Sequence, residues 1–97
     1  MFEATISINH SSGLHARPLA AFVKLAKSFA SEVQVHNLTN GKGPMNGKSP
    51  VHLLMLTAQQ GHVLRIATRG ADGEEALKSL VRLIELDFAQ ESSHDIV

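Results

Sequence analysis

A histidine at the predicted start of a helix is the residue best suited to chemistry in this chain of 97 residues. It is His15, in the segment Gly13-Leu14-His15-Ala16-Arg17-Pro18. Pro18 fits the first helical turn, because the N–H that proline lacks would have no helical partner there. Because a neutral imidazole is a nucleophile, His15 is a candidate to accept a phosphoryl group.

The neighbours of His15 suit an anion. Backbone N–H groups at a helix N-terminus lack helical partners, and the helix dipole favours negative charge there. A phosphoryl group on His15 would meet the amides of Ala16 and Arg17, and the Arg17 guanidinium suits phosphate oxygens. Gly13 permits a tight loop that leaves the imidazole exposed. The alternative is a loop histidine beside an ordinary surface cation, but the glycine, the proline and the helix start together favour a phosphoryl site.

Basic residues continue from this histidine along one face of the predicted first helix. Four positions share that face, at spacings of i, i+3, i+7 and i+10: Arg17, Ala20, Lys24 and Lys27. The net charge of the chain is zero, but residues 1–71 contain seven basic and two acidic residues, whereas residues 72–97 contain two and seven. The basic face either meets an acidic partner or an anionic group, or is simply solvated.

A short helix over residues 50–57 is predicted by Ser49 as its N-cap and Pro50 at its first position. Its apolar residues occur almost all round, although a surface helix should have a polar face. If its other leucines pack on the core, Val51 and Leu54 point outward. Either the helix is deeply buried, or these two residues belong to an exposed apolar patch used for docking.

The periodicity of apolar residues predicts four strands and three helices in the order β-α-β-β-α-β-α. The strands are predicted around residues 2–8, 33–38, 44–47 and 63–68. The first helix contains Pro18 in its first turn, and its apolar stripe reaches Phe29. The last helix opens at Asp72-Gly-Glu-Glu75, which resembles a capping box. This order favours an α+β two-layer fold with an antiparallel sheet and the helices on one face.

Composition excludes several classes of protein. The length suits one domain, predicted over residues 1–90, with a polar tail at 91–97 that is expected to fray. No apolar run could span a membrane, and the N-terminus lacks the pattern of a secretion signal. The absence of cysteine excludes disulfides and thiolate metal sites, and the remaining histidines form no metal-binding pattern. A cytoplasmic protein without metal or cofactor is expected.

The motif GLHARP at residues 13–18, an amphipathic helix after it, and a Lys48-Ser49 helix start near the middle together resemble one known family. This is HPr, the histidine-containing phosphocarrier family of the bacterial phosphoenolpyruvate:sugar phosphotransferase system. The resemblance covers about residues 3–89, and the motif is highly specific. It implies an open-faced β-sandwich with the sheet order 1-4-2-3.

The resemblance also implies a function. Enzyme I would phosphorylate the Nδ1 atom of His15, and the group would pass on to sugar-specific IIA proteins without enzymatic turnover. Arg17 would be the phosphate partner that the family conserves. The surface that docks these proteins would comprise five residues: Ala20, Lys24, Lys27, Val51 and Leu54. A monomer is expected.

Ser49 aligns with a regulatory serine that a kinase phosphorylates in many Gram-positive members of the family. Its role as the N-cap before Pro50 also explains a serine at this position. Pro50 and His52 depart from the pattern of regulated members, which is close to K-S-I-M-G. The stretch from residue 37 to residue 49 more closely resembles the HPr-type domains of fructose-specific multiphosphoryl-transfer proteins.

Other functions compete with the phosphoryl relay. A regulatory binding module of the same fold would dock through Val51 and Leu54, with Ser49 as its switch. Nucleic-acid binding is disfavoured, because the four aromatic residues are all phenylalanine and the chain has no net positive charge. A stand-alone hydrolase is disfavoured because no second catalytic group lies at a suitable spacing from His15. His10 is near His15 in sequence, but the pattern assigns it no role.

Overall fold

Seven elements follow one another in the order that the sequence predicts. The structure, a computed structural model, describes residues 1–88. The elements are β1 (Phe2–Ser7), α1 (Ala16–Lys27), β2 (Glu32–Asn37), β3 (Met45–Asn46), α2 (Pro50–Leu54), β4 (Val63–Arg69) and α3 (Gly73–Glu85). None of the three helices in this part of the chain has the length and apolar character needed to cross a membrane. The tail predicted to fray, residues 91–97, lies outside the described residues.

The four strands form one antiparallel sheet in the order β1-β4-β2-β3, which confirms the topology implied by the resemblance. Its register places Ala4 opposite Ile66 and Ile66 opposite Val35, so these side chains form a row across the core face. Strand residues alternate between buried and accessible, as in β4, because only one face of the sheet is covered by helices. The fold is therefore the expected open-faced α+β sandwich.

The apolar stripes of the two long helices bury themselves on this sheet. In α1 the buried apolar residues include Leu19, Phe22 and Ala26, as predicted. The helix ends at Lys27, and the half-buried Phe29 lies in the turn that follows. There the Phe29 N–H donates to the Ala26 carbonyl oxygen three residues earlier, which makes this turn tighter than an α-helical one. In α3 the buried side chains lie at positions 76, 80, 83 and 84.

The short helix α2 resolves the choice between a buried helix and a partly exposed one. The Ser49 hydroxyl accepts a hydrogen bond from the His52 N–H at 3.2 Å, which confirms its role as the N-cap. Regular α-helix ends at Leu54 rather than residue 57, because the chain continues in tighter turns. Leu53 is fully buried, whereas Val51 and Leu54 are 66% and 48% exposed. Leu56 is also fully buried, so of the two alternatives the partly exposed helix is the one observed.

The prediction of a capping box at residues 72–75 is wrong, because the Asp72 side chain does not make the capping hydrogen bond. Asp72 is the residue before α3, but its carboxylate accepts no hydrogen bond from the helix. Its backbone has φ −104° and ψ 24°, whereas a capping side chain usually requires an extended backbone. The two carboxylate oxygens instead accept the N–H groups of Ala30 and Ser31 at 2.9 Å each, together with the Ser31 hydroxyl. Asp72 thus joins the turn before β2 to the start of α3.

These contacts make stability depend on pH through Asp72. The Ser31 hydroxyl and then the Ala30 amide lower the pKa of the Asp72 carboxyl below its ordinary value. A lowered pKa in the folded state adds stability above the ordinary pKa, and this contribution disappears as pH falls through the folded-state pKa. We expect Asp72→Asn to reduce the free energy of unfolding at neutral pH, because its amide group cannot accept at both positions.

Urea unfolding at neutral and acidic pH measures this effect. The difference between parent and Asp72→Asn should shrink as the pH falls through the folded-state pKa of Asp72. Glu75→Gln is the control, since Glu75 is an exposed acid in the same first turn. A difference that is equally large at both pH values would contradict the role assigned to the Asp72 carboxylate.

Candidate functional site

The loop before α1 is held by backbone contacts to the segment that follows α2. The Leu14 N–H donates to the Ala58 carbonyl oxygen at 2.9 Å, and the Leu14 side chain is fully buried. Gly13 has φ +65° and lies so close to residues 58 and 59 that a Cβ atom would contact their backbone. The loop is therefore seated on the core one residue before His15.

His15 occupies the N-cap position of α1, as the sequence predicts. Its backbone is extended, with φ −134° and ψ 167°, and its side chain is half-buried. The Nδ1 atom lies 3.0 Å from the Ser12 carbonyl oxygen. Because a carbonyl oxygen only accepts hydrogen bonds, Nδ1 is the donor in this contact. The Nε2 atom of a neutral ring then carries the lone pair.

The start of α1 offers the backbone donors expected for an anion. The first hydrogen bond that enters the helix runs from the Leu19 N–H to the His15 carbonyl oxygen at 3.4 Å. Within residues 1–88, the N–H groups of Ala16 and Arg17 thus have no acceptor. Ala16 has φ +50°, a left-handed conformation that is strained for a residue with a side chain. The next residue, Arg17, is exposed.

The loop before α1 and the helix itself contain basic residues and no acidic ones. No acidic residue occurs between Glu3 and Glu32 in the sequence, so no carboxylate of the loop or of α1 competes for the donors. The structure thus brings together the three residues predicted for the phosphoryl site: His15, Ala16 and Arg17. An imidazole, two free amides and a guanidinium can bind and carry an anionic group. No cluster of metal-binding side chains occurs in the described part of the chain.

The residues predicted for docking lie on two helices that pack against each other, α1 and α2. Ala20, Lys24 and Lys27 are exposed on α1. Val51 and Leu54 are exposed on α2, and Met55 directly after it is 52% exposed. The neighbouring cation Lys48 has a different role, since its Nζ donates to the Phe29 carbonyl oxygen at 2.7 Å.

Sequence reasoning missed the polar contacts that order the segment beneath the loop. The fully buried Asn37, at the end of β2, donates from Nδ2 to the Leu56 carbonyl oxygen at 3.1 Å and contacts His62 Nδ1 at 3.0 Å. The Gln59 N–H also donates to His62 Nδ1, at 3.2 Å. An asparagine on the buried face of β2, two residues after Val35, is the only signal in the sequence, since its partners lie 19 and 25 residues away.

Comparison with known proteins decides the family. A family model described as the PTS HPr component phosphorylation site matches residues 2–86. The chain belongs to the HPr family. It is 42% identical over 84 residues to the phosphocarrier protein HPr of Haemophilus influenzae, and this match covers 87% of the chain and 95% of that protein. The resemblance seen in the GLHARP motif is confirmed.

Solved structures and larger relatives agree with this family. The crystal structure of HPr-C-His from Thermoanaerobacter tengcongensis has a TM-score of 0.86 and 42% identity, covering 92% of this chain and 97% of that one. The multiphosphoryl transfer protein of Escherichia coli O157:H7 is 38% identical over 80 residues, and this chain spans 21% of its length. Relatives that this chain covers almost entirely are named phosphocarrier protein HPr, so the family is one of phosphoryl carriers.

The close approach at Gly13 can be tested against a matched glycine. Gly41 also has a positive φ, +81°, but a Cβ atom there would meet nothing within 4 Å. Gly41→Ala should therefore lower the free energy of unfolding only by the cost of a left-handed alanine, about 1–2 kcal/mol. Gly13→Ala should lose distinctly more, because its Cβ must also displace the backbone of residues 58 and 59. Equal losses in urea unfolding would show that the loop is not seated as described.

Proposed function

We propose that His15 accepts a phosphoryl group from Enzyme I of the phosphotransferase system and passes it to IIA proteins. The observation that carries this proposal is the position of His15 at the N-cap of α1, beside two amides that have no acceptor among residues 1–88. Those amides and the helix dipole would stabilise the charge of a phosphoryl group. Arg17 would neutralise the same charge from its exposed position.

Phosphorylation at Nδ1, the atom that the family resemblance implies, requires a local change. In the present geometry Nδ1 faces the Ser12 carbonyl oxygen at 3.0 Å. A phosphoryl group on Nδ1 would replace the hydrogen that this contact needs and would repel the carbonyl oxygen. The ring must therefore move away from the Ser12 carbonyl oxygen when Nδ1 is phosphorylated. The phosphoryl group on Nδ1 would then accept hydrogen bonds from the amides of Ala16 and Arg17.

The proposal extends to the whole phosphocarrier. Residues 1–90 would form the phosphocarrier domain, acting as a monomer in the cytoplasm, as the family resemblance implies. Docking would use the surface defined above: Ala20, Lys24, Lys27, Val51 and Leu54. Phosphorylation of Ser49 by a kinase remains a prediction, and its hydroxyl oxygen already caps α2.

Phosphoryl transfer tests the role of His15 directly. With Enzyme I and phosphoenolpyruvate, the parent should acquire one acid-labile phosphate per chain, and His15→Ala should acquire none. His36→Ala is the matched control, since His36 lies on β2 beside Arg65 on the open face of the sheet. We expect Arg17→Ala to slow acceptance about tenfold to a hundredfold, as for the loss of a charged hydrogen bond. Phosphate on His15→Ala would refute the proposal.

The docking surface makes a separate prediction about affinity. Leu54→Ala should change the free energy of unfolding by less than about 1 kcal/mol, because the side chain is 48% exposed. Its affinity for Enzyme I should nevertheless fall about fivefold or more, as for an apolar interface contact. Leu53→Ala should show the reverse pattern, losing about 2–5 kcal/mol of stability from a cavity in the core.

Charge reversal on α1 complements this test. Lys27→Glu should slow association with Enzyme I and weaken its dependence on salt, since exposed charges act mainly on the rate of encounter. Lys78→Glu is the control, because Lys78 is also an exposed lysine but lies on α3, where it pairs with Glu74 at 3.5 Å. If both reversals slow association equally, the face of α1 is not the docking surface.

A further inference from the structure

His10 closes the turn that precedes the reactive histidine. Its Nδ1 atom accepts a hydrogen bond from the Ser12 N–H at 3.0 Å, and its backbone carbonyl oxygen accepts one from the Gly13 N–H at 2.9 Å. A backbone N–H can only donate, so the Nδ1 atom of His10 carries no proton in this contact. The imidazole thus acts as Asn or Asp side chains commonly do in turns of this kind.

The same turn directs a carbonyl group toward His15. The peptide group between Ser12 and Gly13 is planar and trans, so its N–H and its C=O point in opposite directions. Its N–H donates to the backbone of His10, and its C=O lies 3.0 Å from the Nδ1 atom of His15. One peptide group therefore connects the turn closed by His10 to the orientation of the reactive ring.

The ring of His10 is itself held by the end of α3. It contacts the Phe88 ring edge to face, with centroids 5.9 Å apart and an angle of 81° between the planes. Phe88 lies in the turn after the helix, where its N–H donates to the Leu83 carbonyl oxygen at 2.9 Å, and its side chain packs against the core. The acceptor atom of His10 is thus fixed relative to the domain, not only to its own loop.

We propose that His10 is a positioning residue: by accepting the Ser12 N–H, its side chain closes the turn whose Ser12–Gly13 peptide group sets the ring orientation and the tautomer of His15. It favours the neutral tautomer with hydrogen on Nδ1, which is the donor that the Ser12 carbonyl oxygen requires. The consequence for phosphoryl transfer rests on the proposed function. Before a phosphoryl group can bond to Nδ1 of His15, the proton on Nδ1 must leave to solvent while Nε2 takes up another proton. His10 thus stabilises a resting form of His15 that is not yet ready for phosphorylation.

Two substitutions separate the hydrogen bond of His10 from its packing. His10→Phe retains an aromatic ring to contact Phe88 but removes the acceptor for the Ser12 N–H. His10→Asn removes the ring but supplies a carbonyl oxygen, which commonly accepts the N–H two residues later. If the acceptor atom matters, the asparagine variant behaves like the parent and the phenylalanine variant does not.

The measurement is the tautomer ratio of His15, obtained from nitrogen-15 shifts and two-bond couplings at a pH where the imidazoles are neutral. The parent should contain mainly the tautomer with hydrogen on Nδ1. His10→Phe should lower the ratio of this tautomer to the other about fivefold, the effect of one ordinary hydrogen bond. His10→Asn should restore most of the parent ratio. Unchanged amide shifts in β4 would verify that each variant is folded.

Three results would overturn the proposal. The first is a parent protein whose His15 carries its hydrogen mainly on Nε2, which needs no variant to detect. The second is an unchanged ratio in folded His10→Phe. The third is an asparagine variant that loses as much as the phenylalanine variant, which would assign the effect to ring packing. The tautomer ratio is measured without phosphoryl transfer, so its value does not depend on whether His15 carries a phosphoryl group. A negative result for this proposal can therefore be told apart from a negative result for the proposed function.

Discussion

The hydrogen bond from the Leu14 N–H to the Ala58 carbonyl oxygen is the contact on which the loop of His15 depends. It joins the residue before His15 to the segment after α2, and the buried Leu14 side chain fixes the same point from the other side. A helix start can bind an anion only if its donors are already oriented, since ordering them during the reaction would cost free energy. The absence of a side chain at Gly13 is what allows this approach.

The segment after α2, to which Leu14 bonds, is held in place by contacts with the sheet. Asn37 ends β2 and lies opposite Leu64 in the register with β4, so its position is determined by the central strands. Its amide donates to the Leu56 carbonyl oxygen and contacts His62, while its Oδ1 atom accepts from the Thr39 N–H at 3.0 Å. A buried amide with all these partners specifies a single conformation, because any alternative leaves polar groups unpaired. These contacts connect the sheet to the segment after α2, and the Leu14–Ala58 hydrogen bond connects that segment to the loop of His15.

The sequence predicts what depends on periodicity and on local motifs. The strands and the apolar face of α1 follow from spacing, since burial repeats with the geometry of each element. The Ser49 cap follows from a local motif, a serine before a proline, whereas spacing left open whether α2 is buried or partly exposed. The bonding of Asp72 follows from neither, because the amides it accepts lie 41 and 42 residues away and outcompete the local capping position. The role of His10 is similarly hidden, since it depends on the path of one turn and on the contact with Phe88.

The partial exposure of His15 suits the proposed role of a phosphoryl carrier. In the proposed function a phosphoryl group is received from one protein and delivered to another, so it has to remain accessible, and His15 lies half-buried at the N-terminal end of α1. Accessibility keeps water near the ring, and in water the attraction of Arg17 and of the amides for phosphate is weak. That attraction strengthens when a partner covers the site and excludes solvent. The exposed apolar side chains of α2, beside the basic face of α1, provide surface for such a cover without occupying the histidine.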